Sequence, residues 1–220
     1  MVLALDHAHH QEYPGIHVQK TEIVSQPIAF FDFDGTITTK DTLLEIFKYR
    51  HGKARFYLGF LLNSPFLVAY KAGIISNQLA KEMTLKLFFG GMKAEAFNAF
   101  CEQFAKEIIP SLVRSKALTE IDKLKKAGAE VVIVSASPEN WLQPWCREHQ
   151  VKLLGTQLEV NNGKITGKIK GNNCHGEEKV RRIREAYDLT AWKEVYCYGD
   201  TSGDKPMLAL GTHSFYQPFR

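Results

Sequence analysis

A near-continuous apolar run, Ile28-Ala29-Phe30-Phe31-Asp32-Phe33, carries one aspartate near its end and leads straight into Asp34-Gly35-Thr36. This feature constrains the fold more than any other in the chain. A strand that is apolar at consecutive positions is buried on both faces, the situation of a parallel sheet covered by helices. A second run, Val131-Val132-Ile133-Val134, ends in Ser135-Ala136-Ser137, and a third, Val195-Tyr196-Cys197-Tyr198, ends in Gly199-Asp200. Helical patterns lie between them. That alternation implies parallel strands joined by right-handed crossovers. Such sheets bind ligands beyond the carboxyl ends of their strands, so the polar residues at those ends carry the functional question.

The intervening segments complete the architecture. Asp41 is placed to cap a helix through Leu43, Leu44, Ile46 and Phe47, and Gly52 to end it. Residues 53–108 continue as helical pieces broken by Pro65, Gly73 and Gly90-Gly91, with Ser76 as the cap of the piece that holds Leu79, Met83 and Leu87. No strand pattern appears there, so the span reads as a helical insertion. Pro110 starts a helix through Leu112, Ile121 and Leu124 that Gly128 stops. Pro138 opens another helix, followed by a short strand at 152–154. Asn161-Asn162-Gly163 signals a hairpin between 158–160 and 164–168. A polar helix at 177–187, a short helix at 206–210 and an edge strand at 214–216 follow the same reading. The expected fold class is α/β, a three-layer Rossmann-like parallel sheet core with an inserted all-helical cap. Residues 1–26 read as a leader, 27–40 and 110–220 as the core, and 41–109 as the cap.

Composition narrows the function classes. The 220 residues suit one core domain with a smaller insertion, and 45% hydrophobic with 24% charged residues is near the globular norm, against disorder. A net charge of +4 is too weak to argue for nucleic acid, and no nucleic-acid motif is present. The charge is concentrated: residues 41–114 hold ten Lys/Arg against six Asp/Glu, as much net charge as the whole chain. A basic segment over a site suits an anionic substrate or a membrane surface, and a solvated helical face would look the same. Cys101, Cys146, Cys174 and Cys197 have no metal-ligand spacing, which points to a reducing, cytoplasmic compartment. Residues 1–5 lack the features of a signal peptide, and His7, His9, His10 and His17 are scattered in a polar leader. The longest apolar stretch, 56–70, contains Asn63, Ser64 and Pro65 and falls short of the roughly 20 residues a membrane span needs.

Asp32 and Asp34 lie two apart on an extended segment, so their side chains lean the same way. Bringing both together with Asp200 is costly unless a cation joins them. Magnesium fits, since it takes few carboxylates, several waters and a phosphate oxygen. Gly35 lets the chain turn and bring backbone N–H groups toward a phosphate. Ser135 can donate to a phosphoryl oxygen, and Lys179 supplies positive charge where a transition state is negative. One aspartate would attack phosphorus and the other would handle the proton. Local geometry leaves open which does which.

Phe31-Asp32-Phe33-Asp34-Gly35-Thr36 resembles the first motif of the haloacid dehalogenase-like superfamily in its phosphatase form. Val134-Ser135-Ala136-Ser137 resembles the second motif, Lys179 the third, and Gly199-Asp200-Thr201-Ser202-Gly203-Asp204 the fourth. The insertion looks like that family's C1-type cap. The likeness covers roughly residues 27–216 and leans toward the phosphoserine-phosphatase-like branch. It implies that Asp32 is the nucleophile and Asp34 the general acid/base. It implies that Asp32, the Asp34 carbonyl and Asp200 hold Mg²⁺, with Asp204 steadying the metal shell or Lys179. Thr36 would shape the turn, and Ser135 with Ala136 would line the phosphate.

Substrate is where the chain departs from the branch. Asp41 stands where phosphoserine phosphatases carry a glutamate, and no arginine occurs between Ser76 and Phe100. Of the cap arginines Arg50, Arg55 and Arg114, none is clearly placed to grip an amino acid. The cap is instead rich in Phe56, Tyr57, Phe60, Leu61, Leu62, Phe66, Leu67, Tyr70, Phe88 and Phe89. These suit either cap packing or a lipid-like leaving group, with peripheral membrane contact. The expectation is a magnesium-dependent phosphatase for a small phosphorylated metabolite or a lipid-type phosphate. A phosphotransferase and an inactive phosphate- or lipid-binding module are the alternatives.

Overall fold

The computed structural model describes residues 26–220, except for the side chains at 60, 62, 63, 66, 67 and 69–71. The expected leader, with its histidines, therefore lies outside the described residues, as do the side chains of Phe60, Leu62, Phe66, Leu67 and Tyr70.

Strand β1 (Ile28–Phe31) is buried along its whole length. It pairs in parallel with β2 (Glu130–Pro138) on one side and β6 (Val195–Gly199) on the other. The sheet is completed by β3 (Lys152–Thr156) beside β2 and β7 (His213–Tyr216) beside β6, giving the order β3-β2-β1-β6-β7, all parallel. Alternate residues of β1 serve opposite faces. Ala29 and Phe31 belong to a core with Ile121 of α5 (Ser115–Lys126) and Trp141 and Trp145 of α6 (Glu139–Glu148). Ile28 and Phe30 belong to a second core with Ile183 of α7 (Glu177–Ala186) and Met207 of α8 (Lys205–Leu208). Helices on both faces of the sheet make the three layers the apolar runs required.

The insertion between β1 and β2 contains α1 (Thr42–Lys71), α2 (Asn77–Phe89), α3 (Ala94–Glu107) and a short α4 (Ile109–Leu112). Asp41 Oδ1 accepts the amides of Leu43 and Leu44 at 2.8 and 3.2 Å, and Ser76 Oγ accepts Leu79 N–H at 3.1 Å. Gly52, at φ +72°, breaks the helical path of α1, after which the chain re-enters a helix. The expected break at Pro65 does not occur. Proline removes the N–H that would reach the Leu61 carbonyl, and the Ser64 hydroxyl donates to that carbonyl instead, at 2.7 Å.

The single helix expected from Pro110 to Leu124 is two helices. Between them Thr38 pairs with Val113, the Thr39 amide donates to the Leu112 carbonyl at 2.8 Å and the Arg114 amide to the Ile37 carbonyl at 2.8 Å. The segment after β1 claims this backbone and holds it extended. The hairpin of β4 (Leu158–Asn161) and β5 (Lys164–Ile169) turns through Asn162 and Gly163, both at positive φ, as the Asn-Gly signal requires. It stands apart from the main sheet and bonds to the insertion: Gly91 N–H donates to the Ile165 carbonyl and Ala94 N–H to the Gly163 carbonyl, each at 2.8 Å. At Gly167, with φ +87°, the hairpin backbone lies against the backbone of Lys86 on α2, with no room for a side chain.

Candidate active site

Asp32 is the first residue past β1, and its amide still donates to the Tyr198 carbonyl at 2.9 Å, so the last rung of the sheet fixes it. The chain then turns through 33–37. Gly35 sits at φ +83°, where a Cβ would lie 2.5 Å from Asp200 Oδ2. Only glycine satisfies both the backbone and that approach. The Thr36 hydroxyl lies 3.2 Å from both Asp32 Oδ2 and Asp200 Oδ1.

Lys179, from the first turn of α7, is buried between two carboxylates. Its Nζ is 2.6 Å from Asp32 Oδ1 and 2.7 Å from Asp204 Oδ1. Asp204 Oδ2 accepts the amides of Asp200 and Thr201 and the Thr201 hydroxyl, at 3.1, 2.9 and 2.8 Å. Asp204 is thus a saturated anchor for Lys179. Burial alone would lower the Lys179 pKa, but Asp32 and Asp204 outweigh it and hold the ammonium charged. Burial would raise Asp204, and Lys179 more than reverses this. Burial pushes Asp32 up to about 7 against the pull of Lys179, and burial with the Asp204 charge also raises Asp200. Arg220 Nη2 lies 2.5 Å from Asp200 Oδ2, a pairing of chain positions that no local pattern announces.

Asp34 is held separately. Its Oδ1 accepts the Thr42 amide at 2.6 Å and its Oδ2 the Ser137 hydroxyl at 2.6 Å. Ser135 is fully buried, with its Oγ accepting the Ser137 amide at 3.0 Å, and it is not among the residues that line the cleft. The cleft encloses about 320 Å³ and is lined by Asp32, Asp34, Asp41, Leu43, Lys81, Ala136, Ser137, His175, Lys179, Thr201, Ser202, Gly203 and Asp204.

Lys81, on α2, is a cap cation that no local sequence pattern distinguishes from the cap's other lysines. Its Nζ donates to the Ala136 carbonyl at 2.6 Å and lies 3.3 Å from Asn173 Oδ1. Burial lowers its pKa, against the pull of Asp41 and Asp34. Asp41 is pushed up to about 6 by desolvation in the cleft and by Asp34. Asn173 ties the cap to the core, since its Nδ2 donates to Asn77 Oδ1 at 2.7 Å and its Oδ1 accepts the Thr156 hydroxyl at 2.9 Å. Two of the cap arginines are engaged elsewhere, Arg50 over the rings of Phe89 and Phe100 and Arg114 on the Thr38 carbonyl, and Arg55 is exposed, outside the cleft lining. Phe56, Phe88 and Phe89 are buried in the core, whereas Tyr57 and Leu61 face outward. Among the described residues no cap aromatic lines the cleft.

The oxygens of Asp32, Asp200 and Asp204 offer ligand atoms within 4.8 Å of one another, all from buried residues. Since Asp204 is saturated, Asp32 and Asp200 are the carboxylates with capacity to spare. Hard oxygen donors of this kind suit Mg²⁺, and a cation there would oppose the upward push on both groups.

A parallel α/β core with a carboxylate–lysine cluster at its strand ends, roofed by a helical insertion, defines a capped α/β enzyme. The chain belongs to the haloacid dehalogenase-like hydrolase family, whose model matches residues 29–209. It is 38% identical over 199 residues to Protein CicA of Caulobacter vibrioides, covering 88% of this chain and 86% of that protein. It is 29% identical to Phosphoserine phosphatase SerB1 of Mycobacterium tuberculosis, covering 83% of this chain and 61% of that protein. A protein of unknown function from Bordetella pertussis Tohama I has a similar structure, with a TM-score of 0.73 and 25% identity over 86% of this chain and 88% of that one.

Proposed function

We propose that the chain is a magnesium-dependent phosphatase that hydrolyses a phosphate monoester through a phospho-aspartyl intermediate on Asp32. The observation that carries this reading is the division of labour between two aspartates: Asp32 bonded to Lys179 at 2.6 Å, and Asp34 turned away to Thr42 and Ser137. One carboxylate is paired directly with a buried ammonium, and the other is held by neutral donors. That suits a nucleophile and a proton carrier respectively.

A carboxylate oxygen of Asp32 attacks phosphorus, the bond to the leaving oxygen breaks, and Asp34 gives that oxygen a proton. A water then returns a proton to Asp34 as it attacks phosphorus, and the Asp32–phosphorus bond breaks to release phosphate. Lys179 balances negative charge on the phosphoryl group while Asp204 holds it in place. Asp32, Asp200 and the Asp34 carbonyl are the groups to hold Mg²⁺, which when bound neutralises phosphoryl charge. Ala136 lines the phosphate end of the cleft, while Gly35 and Thr36 brace Asp32 and Asp200 and Ser135 holds the Ser137 amide behind it.

Asp41 and Lys81 stand at the leaving-group end, one acidic and one basic, lining the same cleft. This favours a small polar leaving group such as an amino acid, the substrate class in SerB1's name. A second reading has its own observation. Tyr57, Leu58, Leu61 and Val68 are 65, 59, 68 and 65% exposed on the second half of α1, behind the exposed cations Lys53 and Arg55. An apolar helical stripe behind lysine and arginine suits an anionic lipid surface, with a lipid-type phosphate presented to the cleft. Among the described residues no helix is long and apolar enough to cross a membrane.

Turnover of p-nitrophenyl phosphate with Mg²⁺, lost with EDTA and in Asp32→Asn, tests the chemistry. Turnover that persists in Asp32→Asn would overturn it. Product analysis with added alcohols separates hydrolysis from phosphoryl transfer. Mg-dependent binding of BeF₃⁻ without turnover would instead favour an inactive binding module.

A further inference from the structure

Thr42, Ser137 and Trp141 take no direct part in the steps above, yet a line of hydrogen bonds runs through them and ends on Asp34. Trp141 Nε1 donates to Thr42 Oγ1 at 3.1 Å. Thr42 Oγ1 and Ser137 Oγ lie 3.2 Å apart. Ser137 Oγ donates to Asp34 Oδ2 at 2.6 Å. All three residues are buried.

The direction of this line is fixed from both ends. An indole N–H only donates, and Asp34 Oδ2 accepts from the Ser137 hydroxyl, with any proton of its own carried on the lone pair left toward the cleft. Ser137 has one hydroxyl hydrogen and gives it to Asp34. The middle bond therefore has Thr42 as donor, and every hydrogen points toward Asp34. Thr42 acts a second time through its backbone, because its amide donates to Asp34 Oδ1 at 2.6 Å. The carboxylate is gripped at both oxygens, with neither donor able to reverse while the line stays intact.

The line also joins separate parts of the fold. Asp34 follows β1, Ser137 lies near the end of β2, Trp141 is in the first turn of α6, and Thr42 is the first residue of α1, where the cap begins. The orientation of Asp34 is thereby tied to the root of the cap.

We propose that Trp141, Thr42 and Ser137 are positioning residues that hold the Asp34 carboxylate in one orientation, with a lone pair left toward the cleft for proton transfer. The inference rests on the phosphatase reading. These residues make and break no covalent bond; the proton passes from Asp34 to the leaving oxygen and is restored from water. They set how well a poor leaving group is expelled. An ester whose leaving oxygen is weakly basic departs with little help, whereas a strongly basic one needs the proton.

The test compares kcat/KM, which reports the first chemical step, for dinitrophenyl phosphate and phenyl phosphate in wild type, Thr42→Val, Thr42→Ser, Ser137→Ala and Trp141→Phe. Because well-placed general acid catalysis is worth about 10²–10⁴-fold, Thr42→Val and Ser137→Ala are expected to lose roughly 10- to 100-fold on phenyl phosphate and only about 3-fold or less on the dinitrophenyl ester. Trp141→Phe should shift the ratio the same way by less, and Thr42→Ser should restore it. Should Thr42→Val fail to fold, Ser137→Ala and Trp141→Phe carry the comparison. Equal losses on both esters, or Thr42→Ser as impaired as Thr42→Val, would overturn the inference while leaving the phosphatase reading intact. A wild-type protein inactive on both esters would overturn both together.

Discussion

Lys81, on the cap helix α2, donates a 2.6 Å hydrogen bond to the backbone carbonyl of Ala136 at the end of β2. One side chain thus joins the cap to the strand end that lines the cleft. In the proposed reading it defines, with Asp41, the leaving-group end of the cleft. Lys81→Ala should raise KM roughly 10-fold for an ester whose leaving group carries a carboxylate, a loss of about 1.4 kcal/mol, and change KM little for one that lacks it. Steady-state kinetics on phosphoserine and phosphoethanolamine make the comparison. Equal effects on both would remove Lys81 from substrate recognition.

Gly35 offers a sharper structural test. At φ +83° a side chain is strained, and its Cβ would press on Asp200 at 2.5 Å. Gly35→Ala should cost about 1–3 kcal/mol of stability from the backbone alone. It should also displace Asp200 and so weaken Mg²⁺ binding. Denaturant unfolding combined with Mg²⁺ titration by calorimetry measures both, and an alanine variant with unchanged Mg²⁺ affinity would contradict the close packing.

Glu178 next to Lys179 supports α7 from outside the cleft. Hydrogen bonds from Arg181, and then from Arg182 and Asn172, hold its carboxyl down at about 2. A carboxylate whose folded pKa is depressed adds stability above its unfolded value, and loses it as pH falls through the folded one. The gap between wild type and Glu178→Gln should therefore be present at pH 7, about 0.5–1 kcal/mol for exposed pairs, and close as pH falls from about 4.5 toward 2. Urea unfolding across that range reads it directly. A gap that stays constant would assign the effect to packing.

The outward apolar face of α1 makes a prediction about membranes. Flotation with vesicles containing phosphatidylglycerol should carry the protein at low salt, and Leu58→Ser with Leu61→Ser should abolish it. Failure of the unaltered protein to float would remove the lipid-surface reading and leave the small polar substrate.

The strand ends were legible as candidate positions because a strand buried on both faces carries Asp32, Ser135 or Asp200 only where each finds a polar partner, as each does here. The Asp41 and Ser76 caps and the Asn162-Gly163 turn were legible because each is decided within a few residues. What escaped was decided at long range. Val113 and Arg114 are extended because the segment after β1 pairs with them. Pro65 is tolerated because Ser64 serves the orphaned carbonyl. Thr42 and Trp141 sit far apart in the chain and meet only through the fold, so no local pattern announces their hydrogen bond. Lys81 follows the same rule: on α2 it is one of two lysines until the cap lies over Ala136.

The central claim is that Asp32 carries the phosphoryl group. Rapid acid quench of the Mg²⁺-loaded protein with substrate, followed by peptide mass spectrometry, tests this most directly. A hydroxylamine-sensitive phosphoryl adduct on the peptide containing Asp32, absent from Asp32→Asn, is the predicted result. Turnover by Asp32→Asn at the wild-type rate, with no adduct on either protein, would contradict it.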